Sequence, residues 1–225
     1  MSSTTRLASY NIRKCRGLDR RRRPGRILDI LNDIGADIIA LQEADRRLGA
    51  RPAALPARMI EQETDFQAVP LARNHVSLGW HGNAVLVKKG IEARNFRHIH
   101  LPGFEPRGAV ALDVGDLTVV AVHLGLRRRD RLTQLAHIRD EVGAARRTVI
   151  LGDFNEWSPR RGMEPLEDHY AIHAPGRSFH AARPVAALDR FALGSDLELR
   201  DAGVIETKLS RIASDHLPVW ADVSG

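Results

Sequence analysis

The chain has 225 residues, of which 43% are hydrophobic and 28% are charged, and its formal net charge is +6 at pH 7. These are the values of an ordinary globular protein, and they exclude disorder, collagen and coiled coil as the main state. No apolar run approaches the ~18 residues of a membrane-spanning helix. The single cysteine, Cys15, excludes an internal disulfide framework and a thiolate zinc cluster. Met1 to Thr5 show no signal-peptide pattern, so a cytoplasmic protein is expected.

Short apolar and β-branched runs recur along the whole chain, and helix-length patterns separate only some of them. A strand is predicted at Arg6–Arg13, followed by a helix from Pro24 to Gly35, where the glycine is a stop signal. The continuous apolar run Asp37–Gln42 predicts a strand that is buried on both faces. Further helices are predicted at Leu55–Glu63 and Asp130–Ala145, and further strands at Phe66–Leu71, Asn83–Lys88, Ala93–Leu101, Ala109–Val114, Leu117–His123, Thr148–Leu151, Leu188–Leu193, Glu198–Ile205 and Leu217–Val223.

The order of these elements is neither a strict alternation of strand and helix nor purely β. No linker-like segment rich in Pro, Gly or Ser divides the chain, and no internal repeat is visible. The pattern therefore favours one layered α/β domain over residues 1–225, with either a mixed sheet or two packed sheets.

Polar residues stand where predicted strands begin or end, which is where protein scaffolds commonly present a functional site. Glu43 and Asp215 offer the hard oxygen ligands that Mg²⁺ prefers. Asp153 can orient or deprotonate a water, and the two histidines His123 and His216 can stabilise a developing anionic phosphorus centre. Taken singly, each residue is weak evidence, because a histidine at a strand end is more often a satisfied structural group than a catalyst and the GDFN segment alone is also typical of a turn. Other polar residues at strand ends are Asn11, Gln42, Asn83, Asn155 and Asp189.

Seven short motifs occur in one order between residues 8 and 219: SYNI, LQE, GNAVLV, VHLG, GDFN, LDR and SDHLPV. In this set and order, the chain resembles the endonuclease/exonuclease/phosphatase superfamily, whose fold is DNase I-like. The resemblance implies a four-layered α/β sandwich, with two mixed β-sheets packed face to face, helices outside and the site at one edge. It also implies a metal-dependent phosphoric ester hydrolase that uses Mg²⁺ or Mn²⁺.

The resemblance implies roles for the residues that match the metal and water positions of the family. Glu43 is expected to be the principal metal ligand, with Asn11 and Asp215 beside the ion. Asp153 is expected to activate the attacking water, with Asn155 alongside. Hydrolysis would then proceed by in-line attack of water on phosphorus, without a covalent intermediate.

The remaining matches concern the phosphate. His216 is expected to contact the scissile phosphate with support from Asp189, and His123 matches a second histidine found in the deoxyribonuclease and sphingomyelinase branches. Asn83 matches an asparagine near the substrate, and Arg107 matches an arginine that faces the phosphate. The alternative interpretations of these last two are a turn asparagine and a surface arginine.

The substrate class depends on the basic charge, which is nearly all arginine. The runs at residues 20–23 and 127–131 each follow a strand that ends in a predicted site residue, so both are predicted to be loops that flank the site and bind phosphate groups. Solvated loops are the alternative. The first hypothesis is a nuclease that acts on nucleic acid. The second is a phosphatase or phosphodiesterase that acts on a small or lipid-derived phosphoester, of the inositol phosphate or sphingomyelin type. The third, a catalytically inactive binding module, is opposed by the complete set of core residues.

Overall fold

The computed structural model describes residues 4–143 and 146–225. Its strands are β1 Thr5–Asn11, β2 Ile38–Gln42, β3 Phe66–Ala68, β4 Ala84–Lys88, β5 Ala93–Leu101, β6 Arg107–Val114, β7 Leu117–His123, β8 Thr148–Asp153, β9 Tyr170–His173, β10 Asp189–Gly194, β11 Glu198–Val204 and β12 Val219–Ser224. Its helices are α1 Pro24–Ile34, α2 Ala57–Glu63, α3 Arg128–Val142, α4 Glu164–Glu167 and α5 Ser210–Ala213, with a 3₁₀ turn at Arg13–Cys15. None of the helices in the described ranges is long and apolar enough to cross a membrane.

The strands form two six-stranded mixed sheets, in the orders β11-β12-β1-β2-β4-β3 and β5-β6-β7-β8-β10-β9. Alternate residues of each strand supply different apolar layers. In β2, Ile38 and Ala40 belong to the core between the sheets, whereas Ile39 and Leu41 pack with the helices outside. Helices α1, α2 and α5 cover the first sheet, and α3 and α4 cover the second. Two packed mixed sheets with flanking helices confirm the predicted DNase I-like α/β sandwich.

The ends of several elements differ from the prediction. Helix α3 begins at Arg128 rather than Asp130, and residues 144 and 145, at the end of the predicted helix, lie outside the described residues. The predicted strand Phe66–Leu71 is reduced to three residues because Pro70 has no amide hydrogen for sheet pairing. The sequence patterns missed β9, α4 and α5, since elements of four residues are too short to display a period.

The sheet topology brings the ends of several strands to one edge of the molecule. Strands β1 and β2 are parallel with Asn11 opposite Gln42, and β7 and β8 are parallel with His123 opposite Asp153. Strand β10 is antiparallel to β8 and therefore begins at this edge, with Asp189 opposite Asp153. A hydrogen bond between Asn11 and Asp153 joins the two sheets here. We call this end of the sandwich the site edge.

Candidate active site

The carboxylate of Asp153, at the end of β8, is the centre of the site, and this residue is 1% exposed. Its Oδ2 accepts a hydrogen bond from Asn11 Nδ2 at 3.0 Å, and it lies 3.5 Å from His123 Nε2 and 3.6 Å from His216 Nε2. Its Oδ1 accepts the backbone amide of Asn155 at 2.9 Å. The structure thus brings four of the predicted residues together around this one carboxylate.

The environment of Asp153 suits a group that takes up a proton. Burial raises the pKa of Asp153 to about 6, and the negative charge of Asp189 acts in the same direction. The charge of His216 and the hydrogen bonds from Asn11 and Asn155 oppose this rise. A carboxyl group with a pKa near neutrality is ionised at pH 7 and is still basic enough to accept a proton from water.

His216 is held by a buried acid on the side away from Asp153. Asp189 Oδ2 accepts a hydrogen bond from His216 Nδ1 at 2.8 Å and another from the hydroxyl of Ser178 at 2.5 Å. Burial alone would lower the pKa of His216, but Asp189, Asp153 and Asp215 together raise it to about 10. The imidazole is therefore a cation at neutral pH, fixed in orientation by Asp189.

His123 differs from His216 in charge. Burial lowers the pKa of His123 well below its ordinary value, and the positive charges of Arg107 and His216 act in the same direction. His123 is therefore neutral at pH 7. The carboxylate of Asp153 thus lies between one neutral and one cationic imidazole.

Glu43 follows β2 and lines a pocket of about 550 Å³, a volume that includes the part open to solvent. Its backbone has a left-handed φ of 54°, and Asn155 in the site has a φ of 52°. This left-handed conformation costs a non-glycine residue ~1–3 kcal/mol. Residues that nevertheless adopt it cluster at functional sites. The Glu43 carboxylate pairs with the ammonium group of Lys14, and Asp215 Oδ2 lies 3.2 Å from Arg13 Nε. Both predicted acidic ligands therefore face a positive charge.

Two groups of residues have donor atoms suited to a cation. Among the described residues, Asp153, Asp189 and His216 offer ligand atoms within 4.8 Å of one another. Asp189 Oδ2 already accepts two hydrogen bonds, and the raised pKa of His216 favours its cationic form, so we assign these three residues to proton transfer. Glu43 and Asp215 have side chains that are 27% and 24% exposed, and they offer carboxylate oxygens opposite cations. This donor chemistry fits a hard divalent ion.

The two predicted substrate contacts differ in their surroundings. Arg107 lines the same pocket as Glu43, and its Nη2 lies 2.8 Å from Glu105. Asn83 is completely buried, and its Nδ2 donates to the carbonyl of Gly108 at 2.7 Å, which ties the loop before β4 to β6. Its Oδ1 is buried without a hydrogen-bond partner among the described residues. Arg107 is thus placed to contact a ligand in the pocket. The side-chain amide of Asn83 instead stabilises the wall of the pocket.

Several residues of the pocket are not among the sequence predictions. Arg46, Arg47 and Arg51 lie on the loop after β2 and line the pocket, together with Lys14 and His81. The adjacent arginines that follow Glu43 are the signal that could have identified this loop. Nothing in the sequence distinguishes Ser178, which binds Asp189, from the other serines.

The prediction for the arginine run at 127–131 is wrong in part. Residues 128–131 form the first turn of α3 rather than a loop. Arg131 is 5% exposed, and it donates to Glu156 Oε2 at 2.7 Å and to the carbonyl of Leu126 at 2.6 Å. This arginine therefore fixes the chain after β7 and is not available to a substrate. The run Arg20–Arg23 is exposed, and Arg22 Nε donates to the carbonyl of Lys14 at 3.0 Å.

Two packed mixed sheets with buried Asp and His residues at one edge define a DNase I-like hydrolase of phosphoric esters. The model of the Endonuclease/Exonuclease/phosphatase family matches residues 8–216, and the chain belongs to this family. Its members are phosphoric ester hydrolases and depend on a metal, which confirms the predicted family and class of enzyme.

Relatives in sequence and in structure span nearly the whole chain. The chain is 28% identical over 218 residues to the Uncharacterized protein YbhP of Escherichia coli (strain K12), covering 87% of this chain and 86% of that protein. A mannosyl-6-phosphatase of Bacteroides thetaiotaomicron superposes with a TM-score of 0.75 at 14% identity, covering 97% of this chain and 99% of the other. D. rerio TDP2, complexed with single strand DNA product, superposes with a TM-score of 0.71 at 14% identity, covering 99% and 100%. At such identities the structural likeness shows the shared fold.

Proposed function

We propose that this protein is a divalent-metal-dependent phosphodiesterase in which Asp153 activates a water for in-line attack on phosphorus. The observation that carries the proposal is the ionised Asp153 carboxylate between neutral His123 and cationic His216. This arrangement provides a proton acceptor and a positive charge side by side, which are the two requirements of water attack on an anionic ester.

The residues around Asp153 have separate roles in the proposed reaction. Asn11 and the amide of Asn155 hold the two oxygens of Asp153, so that the carboxylate has a fixed direction. Asp153 accepts the proton of the attacking water. The imidazolium of His216, oriented by Asp189, donates a hydrogen bond to the phosphate and stabilises the charge that develops there.

The metal would be held by Glu43 and Asp215, with Asn11 beside it. When bound, Mg²⁺ (or Mn²⁺) would neutralise charge on the phosphate oxygens and stabilise the leaving group. In the present structure Lys14 and Arg13 pair with the two acids. We expect both cations to be released from the acids, and thus available to the phosphate, once the acids bind another cation.

Two substrate classes fit the basic pocket and its surroundings, because arginine binds any phosphate group. Nucleic acid is supported by the exposed run Arg20–Arg23 and by the likeness to D. rerio TDP2 in complex with single strand DNA product. A small or lipid-derived phosphoester is supported by the likeness to the mannosyl-6-phosphatase and by the compact pocket around Glu43. The cytoplasmic location stays a prediction.

The test is hydrolysis of bis-p-nitrophenyl phosphate, a diester, and of p-nitrophenyl phosphate, a monoester, with Mg²⁺, Mn²⁺ or EDTA. We expect metal-dependent cleavage of the diester. Asp153→Asn and His216→Gln should each reduce kcat by roughly 10²–10⁴-fold, the usual effect of removing a general base or a stabilising donor. A thermal melt of each variant checks that it is folded.

Asp116→Asn is the matched control for Asp153→Asn. Asp116 lies in the turn between β6 and β7, at the edge opposite the site, and its side chain is 76% exposed. The control should keep full activity. If Asp153→Asn kept full activity as well, or if EDTA had no effect, the proposed mechanism would be rejected.

A further inference from the structure

Large apolar side chains that face solvent are concentrated at the site edge. Seven such residues are exposed among the described part of the chain. Five of them lie on loops that follow β2, β7 and β8 or precede β6 and β10, and a sixth, Ile212, lies on α5, which precedes β12. The parallel and antiparallel pairings place all of these strand ends at the site edge. We call these six residues the apolar rim: Leu48, Phe104, Leu126, Trp157, Val185 and Ile212.

Two residues of the apolar rim, Trp157 and Leu126, connect it to the site. On one side, the ring of Trp157 packs against that of Phe179, with centroids 5.6 Å apart, and Phe179 in turn lies 5.0 Å from His216. On the other side, the amide of Leu126 donates to Glu105, the partner of Arg107. An amphiphile whose apolar part touched the rim would therefore have its phosphate near His216 and Arg107.

Exposed positive charge accompanies the apolar rim on the same group of loops. Arg46 and Arg47 directly precede Leu48, and Arg127 lies over the ring of Phe104, with its guanidinium carbon 4.4 Å from the centroid. Several exposed arginines at this edge form no salt bridge with any residue that the structure describes, among them Arg20, Arg23, Arg46, Arg47, Arg160 and Arg161. Apolar side chains interleaved with unpaired cations are the composition that binds an anionic lipid surface.

We propose that the site edge docks on an anionic phospholipid surface and that the substrate is a phosphoester of a lipid, a proposal that rests on the phosphodiesterase activity proposed above. The rim favours lipid over nucleic acid because of its side-chain types. Leu48, Leu126, Val185 and Ile212 are aliphatic and have no ring on which a base could stack, whereas stacking on aromatic side chains is what holds single strands. Aliphatic groups gain from transfer into hydrocarbon.

The test measures binding without relying on catalysis. The Asp153→Asn variant, checked by thermal melt, is sedimented with vesicles of phosphatidylcholine mixed with phosphatidylglycerol, and with vesicles of phosphatidylcholine alone. We expect binding to the anionic vesicles only. Adding Leu48→Ser, Leu126→Ser and Val185→Ser should weaken that binding by about tenfold or more, because three aliphatic side chains no longer enter the bilayer. These side chains are 83%, 65% and 55% exposed, so their loss removes few contacts within the fold.

Phe96→Ser, in the same Asp153→Asn background, is the matched control. Phe96 is the one large exposed apolar residue of the described chain outside the rim; it lies within β5 and is 39% exposed. The control should bind vesicles like its parent. The proposal would be overturned if neither kind of vesicle were bound, or if the triple substitution left vesicle binding unchanged.

A short single-stranded oligonucleotide, followed by fluorescence anisotropy, tests the other macromolecule with the same variants. We expect the triple substitution to leave oligonucleotide binding unchanged. Tight oligonucleotide binding without vesicle binding would assign the edge to nucleic acid instead. Vesicle binding by a protein that hydrolyses no phosphodiester would support the docking surface and reject only the proposed reaction.

Discussion

The buried pair of Arg131 and Glu156 allows a direct test of whether this arginine supports the fold or binds substrate. We consider the substitution Arg131→Met, which keeps most of the side-chain volume and removes the charge. Arg131 is 5% exposed and Glu156 is 3% exposed, and their polar atoms are 2.7 Å apart. After the substitution, the carboxylate of Glu156 would stay buried with only the amide of Ser158 as a hydrogen-bond donor.

The size of the effect follows from the charge that is left unpaired. Removing one partner of a buried ion pair costs about 3–5 kcal/mol in the free energy of unfolding, a large part of the ~5–15 kcal/mol that stabilises a typical protein. Burial alone would raise the pKa of Glu156, but the bonds from Arg131 and Ser158 bring it below its ordinary value. The wild-type pair therefore stabilises the fold above the unfolded pKa of Glu156, and this contribution is lost as the pH falls through the folded pKa.

In the Arg131→Met variant the sign is reversed, because burial of an unpaired carboxylate raises the pKa of Glu156. The stability deficit should be full at pH 7 and should shrink as acid neutralises Glu156. Urea unfolding at several pH values measures this. The double variant with Glu156→Gln should recover part of the loss, because it removes the unpaired charge. Arg129→Met, in the same helical turn but exposed, is the control and should change stability by less than ~0.5 kcal/mol.

The result that would refute this reasoning is a normally stable Arg131→Met protein with impaired hydrolysis of bis-p-nitrophenyl phosphate. That outcome would return Arg131 to the substrate-binding role predicted from the sequence. A stable, fully active variant would also contradict the expected loss in the free energy of unfolding, since it would mean that the buried carboxylate of Glu156 needs no partner.

Three further predictions concern the site and its wall. The kcat/KM of diester hydrolysis should rise with pH through about 6, as Asp153 loses its proton, and a pH–rate profile in which His216→Gln moves this rise to higher pH checks the assignment, because the charge of His216 lowers the pKa of Asp153. Glu43→Gln should weaken Mn²⁺ binding, measured by isothermal titration calorimetry, because a neutral amide replaces a charged ligand. Gly108→Ala should destabilise the fold by about 1–3 kcal/mol in urea unfolding, because its Cβ would lie 2.2 Å from the ring of Trp80; unchanged stability would mean that the ring moves freely.

Much of the fold could be predicted from the sequence because each strand has its own local pattern of apolar residues. The continuous run Asp37–Gln42 predicts burial on both faces, and β2 is completely buried between the opposite sheet and the helices. The residues of the candidate site could be predicted from the sequence for a related reason. Asn11, Asp153 and Asp189 stand at strand ends, and strands that share an edge bring their ends together whatever the distance between them in the chain.

What could not be predicted depends on partners that are distant in sequence. Arg20–Arg23 and Arg127–Arg131 look alike as charge runs, yet the first is exposed and the second ends in a buried ion pair. The difference is made by Glu156, which lies 25 residues after Arg131 and meets it only because β7 and β8 are parallel neighbours joined through α3. A run of arginines therefore carries information about a ligand only after the topology has shown which of its members already have a partner.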